Sequence, residues 1–102
     1  MRRVIWWLIV GTKGGVNRAR ILRALHERPY NANQLSEVLG LDYKTIRHHL
    51  KVLLDNKVIT EAGVGYGMIY FLSEGMEKEY EVFKDYLDKV WTKFTTAEDK
   101  KG

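Results

Sequence analysis

Six side chains between Tyr43 and Lys51 carry the most informative chemistry in this 102-residue chain: Tyr43, Lys44, Thr45, Arg47, His48 and Lys51. Their spacing puts cations and hydroxyls on the outward side of one helix near its start. Lysine and arginine donate to phosphate oxygens and to guanine O6 and N7, and threonine can touch a phosphate or a thymine methyl. That is the chemistry of reading an anionic polymer, not of making or breaking bonds. Other reactive constellations are missing. The chain has no cysteine, which excludes disulfides, thiolate nucleophiles and cysteine zinc sites. Its three histidines are His26, His48 and His49; the adjacent pair diverges on a helix and no i, i+4 pair exists, so no metal and no other cofactor is expected. Ser36 and Ser73 have no histidine at a workable spacing, and the sequence does not read as an enzyme. Gly11-Thr12-Lys13-Gly14-Gly15-Val16 sits where a phosphate loop would, but such a loop closes on Gly-Lys-Ser/Thr, and Asn17-Arg18-Ala19 stand in those places. It reads instead as a hinge, with Lys13 and Arg18 near a nucleic-acid backbone.

The elements that must position the cationic cluster follow from caps and periodicity. Val16, Ala19, Leu22 and Leu25 form one stripe of a helix that Pro29 ends. Asn31 and Gln34 have capping-box spacing, Leu35, Val38 and Leu39 form the buried stripe of a short helix, and Gly40 supplies its left-handed end. Asp42 caps the next helix, which runs to about Asp55 with Ile46, Leu50 and Leu53 inward. Two helices joined by a three-residue turn make a helix-turn-helix. Val58–Glu61 and Met68–Leu72 then read as a hairpin around the glycine-rich tip 63–67, the order of a winged helix. Tyr66 is the one large side chain at that tip; it either stands beside a nucleic acid or folds back on the hairpin.

Charge and aromatics divide the chain. Met1–Lys57 holds eleven Lys/Arg against four Asp/Glu, and Val58–Gly102 six against nine, within a net charge of +4. A basic front half is the footprint of a face that meets phosphates. Seven of the twelve aromatics lie at the two ends: Trp6, Trp7, Tyr80, Phe83, Tyr86, Trp91 and Phe94. Met76, Tyr80, Phe83, Leu87, Val90 and Phe94 follow heptad spacing on a last helix. Val4–Val10 is apolar on every face; its β-branched and aromatic residues favour a strand, a short buried helix ending at Gly11 is the alternative, and periodicity does not decide between them. Its seven residues fall far short of the roughly 20 that span a bilayer.

These readings give a mainly α fold with a small β-hairpin, divided into four parts. An N-terminal apolar segment (1–13) precedes a winged helix-turn-helix domain (14–73), a C-terminal dimerisation helix (74–95) and a flexible tail (96–102). A two-fold interface is expected at Ile5, Trp6, Leu8, Ile9, Tyr80, Phe83, Leu87, Val90, Trp91 and Phe94. DNA contacts are expected at Tyr43, Lys44, Thr45, Arg47, His48, Lys51 and Tyr66. The expected partners are double-stranded DNA and a second copy of the chain, with no membrane, in the cytoplasm; the residues name no small-molecule effector. A module for protein–protein contact within a transcription or replication assembly is the alternative, and it predicts little affinity for duplex DNA.

Leu35-Ser36-Glu37-Val38-Leu39-Gly40-Leu41, Thr45-Ile46-Arg47-His48-His49-Leu50-Lys51-Val52-Leu53 and Asn56-Lys57-Val58-Ile59 together resemble the core of ArsR-type winged-helix transcriptional regulators of archaea and bacteria. The resemblance covers roughly Val16 to Leu72. It implies a dimeric, DNA-binding repressor or activator in which His49 supports the reading helix while His48 faces DNA. Metal sensing, familiar in that group, is not expected here: the recognition helix lacks a cysteine pair and the last helix lacks histidine. Lys57 stands where such chains commonly carry glycine, and Asn56 is expected to take the left-handed turn in its place.

Overall fold

A computed structural model describes the backbone of residues 1–101 and the side chains of residues 1–94. The apolar run at the start is helical: α1 spans Arg2–Trp6 and continues as a π-helical turn, Trp7–Gly11. Ile5, Leu8 and Ile9 are buried at i, i+3, i+4 while Val4, Trp6, Trp7 and Val10 stay exposed. A helical stripe was thus present within a run that looks uniformly apolar. Thr12 ends the turn in extended conformation, and its hydroxyl donates to the Trp7 carbonyl at 3.1 Å.

Helix α2 (Gly15–Glu27) is the central element. It buries Ala19, Ile21, Leu22, Ala24 and Leu25 and also Arg18 and Arg20, whereas Val16, expected inside, is exposed. Gly15 lets α2 begin against the π turn, because a Cβ there would lie 2.5 Å from the Ile9 carbonyl oxygen.

The short strand β1 (Tyr30–Asn31) leads into α3 (Ala32–Leu39) through the expected capping box. The Gln34 amide donates to Asn31 Oδ1 and the Asn31 amide to Gln34 Oε1, each at 2.8 Å. Ala32 joins Leu35 and Leu39 inside, and Val38 is exposed, a correction to the expected stripe. Gly40 is left-handed at φ 64°, and Asp42 Oδ2 accepts from the Thr45 amide to start α4 (Tyr43–Asp55).

The end of α4 corrects a second expectation. Lys57, not Asn56, takes the left-handed conformation, at φ 60°. The Lys57 amide donates to the Leu54 carbonyl and the Val58 amide to the Leu53 carbonyl, each at 3.0 Å. This is a Schellman closure, which requires positive φ one residue beyond the cap, and Asn56 is the cap itself. Val58 and Leu53, the positions such a closure brings together, are both buried.

The wing consists of β2 (Ile59–Ala62), a 3-10 turn at Gly65–Gly67, and β3 (Ile69–Leu72). β1 adds antiparallel to β3, Tyr30 opposite Tyr70, so the hairpin is part of a three-stranded sheet of order β1-β3-β2. Tyr70 and Leu72 face the core.

Ser73 caps the last helix, α5 (Glu74–Lys101), by accepting from the Met76 amide at 3.1 Å. Met76, Tyr80, Phe83, Leu87 and Val90 of α5 are buried within the chain, as are Ile5, Leu8 and Ile9. Seven of the ten residues expected at a two-fold seam, namely Ile5, Leu8, Ile9, Tyr80, Phe83, Leu87 and Val90, therefore belong to the chain's own core. The physical reason is that α2 needs cover on two sides, and α1 and α5 provide it. Trp6 meets Phe83 edge-on at 4.6 Å, and Arg23 donates to Asp88 at 2.8 Å across α2 and α5. The expected tail, 96–102, lies outside the residues whose side chains are described. Among the described residues, no helix is long and apolar enough to cross a membrane.

Candidate nucleic-acid interface

Helix α4 is held from below and from both ends. Ile46, His49, Leu50 and Leu53 seat its inner face, Asp42 caps its start, and the Schellman closure ends it. With the inner face fixed at i, i+3, i+4, i+7, the outer face is determined by helical geometry. Tyr43, Lys44, Arg47, His48 and Lys51 are exposed and Thr45 is half-buried. The Thr45 hydroxyl lies 3.5 Å from Asp42 Oδ2, so it is shared with the cap. His48 is exposed and His49 is buried, yet their rings lie 5.3 Å apart and tilted by 60°, so the pair does not point apart as expected.

Lys44, Arg47, His48 and Lys51 line a cleft of about 490 Å³ between α4 and the wing, closed by Leu50, Leu54, Glu61 and Tyr70. The wing thus completes a cationic trough that contains a single carboxylate. Arg47 donates through Nη1 to the Tyr70 hydroxyl at 2.7 Å. Burial raises the Tyr70 phenol above its ordinary value against the opposing pull of Arg47, so the hydroxyl stays protonated. Lys51 pairs with Asp55 at 3.0 Å, but both are exposed and such a pair is easily exchanged for a phosphate. Tyr66 is 94% exposed at the wing tip, so it does not fold back on the hairpin. With Tyr43, Asn33 and Arg47 it borders a second, small recess beside the start of α4.

Three features escaped sequence reasoning. Tyr70 anchors Arg47 from a strand whose alternation marks its ring as core and says nothing about its hydroxyl. Arg20 donates to the Leu39 carbonyl at 2.7 Å, satisfying the end of α3 from α2. Arg18 is buried against His49 instead of lying near a DNA backbone, while Lys13 is exposed. Among the described residues, no group of three histidine or acidic side chains stands close enough to hold a metal ion.

Two helices joined by a tight turn, a glycine-tipped wing and a cationic outer helix define a winged helix-turn-helix protein. Residues 15–60 match the sequence model of bacterial regulatory proteins of the arsR family. Over that stretch, 46 of the 102 residues, the chain is similar to the arsR family, and that match is to regulators, not to enzymes. Among curated proteins, none matches it by sequence. Solved structures share the fold. Mycobacterium tuberculosis Rv0081 superposes with a TM-score of 0.67 at 22% identity, covering 92% of each chain. The transcriptional regulator HlyU from Vibrio vulnificus gives 0.65 at 20% identity, covering 83% of this chain and 86% of that one. A mutant of Lactococcus lactis ZitR gives 0.63 at 16% identity over 81% of this chain, which spans 59% of the ZitR chain's length.

Proposed function

We propose that the chain acts as a homodimer on double-stranded DNA in the cytoplasm. Helix α4 enters the major groove and the wing lies on the flanking backbone. The observation that carries this reading is the trough itself: Lys44, Arg47, His48 and Lys51 share the outer face of a helix fixed at both ends, beside an exposed wing. Arg47 and Lys44 are the base readers, Lys51, Tyr43 and Thr45 lie toward phosphates, and Tyr66 reaches the backbone from the wing tip.

The surface left for a second copy is the outer face of α1. Trp7 is 56% and Val10 54% exposed, with Trp6 and Val4 beside them. Phe94, half-buried on α5, lines a recess with Val10 at the edge of that face, whereas Trp91, also half-buried, lies under the Arg23 guanidinium. A two-fold contact there would present two α4 helices to half-sites about 34 Å apart.

DNA selected from a random pool supplies the test. The double variant R47A/K51A should lose operator shifts while the protein stays folded, and undiminished binding would overturn the role of α4. Binding should weaken with salt at a slope of about −0.9 per phosphate neutralised; a protein–protein adaptor would give a flat titration. Trp7→Lys should convert the dimer to monomer in sedimentation.

A further inference from the structure

Arg18 is an arginine with 4% of its surface exposed and neutral partners all round. Its Nε donates to the Leu8 carbonyl at 2.8 Å, and its Nη2 to Thr12 Oγ1 at 2.5 Å and to the Lys13 carbonyl at 3.2 Å. These three acceptors belong to the end of α1 and the loop that follows it. The remaining nitrogen, Nη1, faces His49 Nδ1 at 3.3 Å, and His49 belongs to α4. One side chain on α2 therefore joins the N-terminal helix to the inner face of the reading helix.

The surroundings are shaped for this junction. Gly14 has φ 87°, and a Cβ there would lie 2.8 Å from His49 Cε1 and 3.0 Å from Arg18 Nη1. His49 is itself 6% exposed. Burial, then Arg18 and His48, hold its imidazole down to about 4, so at neutral pH it is uncharged and accepts at Nδ1. Burying a guanidinium without a counter-ion is costly, and an apolar side chain of similar length would fill the same space more cheaply. What an apolar side chain could not do is bond two elements at once in a fixed orientation.

We propose that Arg18 is a positioning residue for DNA reading: it fixes α4 relative to α1, so that the cationic trough and the outer face of α1 keep one geometry. The inference rests on the DNA-reading function proposed above. Reading two half-sites needs the angle between the reading helix and the dimer face to be set, whereas loose binding to phosphates does not.

The test compares the selected operator with random duplex at one salt concentration. R18M should lose about ten-fold in operator affinity. Its random-duplex affinity and salt slope should stay as in the wild type, because Lys44, Arg47 and Lys51 are untouched. On the His49 side, H49Q keeps an acceptor for Arg18 and H49L does not. H49Q should stay near wild-type operator affinity and H49L should fall to the level of R18M, with R18M/H49L no worse than either single variant. The His49 Nδ1 resonance should shift in R18M, reporting loss of the donor. Should R18M fail to fold, the H49Q and H49L pair decides the matter. Operator affinity unchanged in R18M, equal behaviour of H49Q and H49L, or additive losses that track melting temperature would each overturn the positioning role. If those results appear while R47A/K51A still abolishes operator binding, only the positioning role fails. A wild-type protein with no salt-dependent affinity for any duplex would bring down both.

Discussion

The guanidinium of Arg47 and the hydroxyl of Tyr70 meet at 2.7 Å, so the outer helix and the middle strand of the wing sheet share one hydrogen bond at the floor of the cationic trough. An arginine has five donors in a rigid fork. Anchoring Nη1 on a buried tyrosine restricts the rotamers available to the rest of the fork. Tyr70→Phe keeps the buried ring and removes the anchor. The variant should lose no more than about 1 kcal/mol of stability. Its operator affinity should fall about three- to ten-fold, because the freed fork must be ordered on binding. Anisotropy titrations with operator and random duplex check this: a loss confined to the operator is expected, and an equal loss on both would make Tyr70 a support of the fold alone.

Lys57 holds a left-handed conformation for which glycine has no steric penalty. Its side chain is exposed, and the Schellman bonds use only its backbone. Lys57→Gly relieves the strain but gives the unfolded chain more freedom, so a gain of up to about 1 kcal/mol is expected. Urea unfolding should show a higher midpoint at an unchanged slope. A lower midpoint would mean that the lysine stem contributes packing that outweighs the strain.

The parts of this molecule that a reader of the sequence can place are those encoded within one helical turn. Asn31 with Gln34, Gly40 and Asp42 are such signals, and they locate α3, the turn and α4. The outer face of α4 follows from them, since Ile46, Leu50 and Leu53 leave Lys44, Arg47, His48 and Lys51 nowhere else to go. What depends on distant partners is not encoded that way. β1 exists only because Tyr30 and Asn31 find Tyr70 and Ile69. The seam from Met76 to Phe94 has the same pattern whether it packs on its own α2 or on a second copy. A cation such as Arg18 reads as solvent-facing because none of its acceptors is a carboxylate: two are backbone carbonyls, which every sequence has, and two are the neutral side chains of Thr12 and His49.

Gly15 and Gly11 flank the same turn and should behave oppositely. A Cβ on Gly15 would stand 2.5 Å from the Ile9 oxygen and 2.7 Å from its carbon, both backbone atoms, so α1 and α2 must move apart. On Gly11 it would meet the Trp7 ring at ordinary distances, Cδ1 at 3.5 Å and Cγ at 4.0 Å. Gly15→Ala should therefore destabilise the protein by about 2–4 kcal/mol, while Gly11→Ala should stay within about 0.5 kcal/mol of the wild type. Thermal melts of the two variants provide the comparison. Similar melting points would show that the α1–α2 contact has room to relax.

His49 should make stability fall in mild acid. Its imidazole titrates near 6.5 when the chain is unfolded and only at about 4 when folded. Between those values the unfolded state binds the extra proton and the folded state does not. The contribution of the neutral imidazole is therefore complete above pH 6.5 and is lost progressively as the pH drops toward 4. The difference between the two values bounds that loss at about 3 kcal/mol. Carboxylates also titrate in this range, so the measurement is a comparison: urea midpoints at about pH 7 and pH 4.5 for the wild type and for His49→Gln, which cannot take up the proton. The wild type should lose more stability than the variant by about 2–3 kcal/mol. Parallel losses would mean that the imidazole is hydrated in the folded state, and that Arg18 faces water there instead of Nδ1.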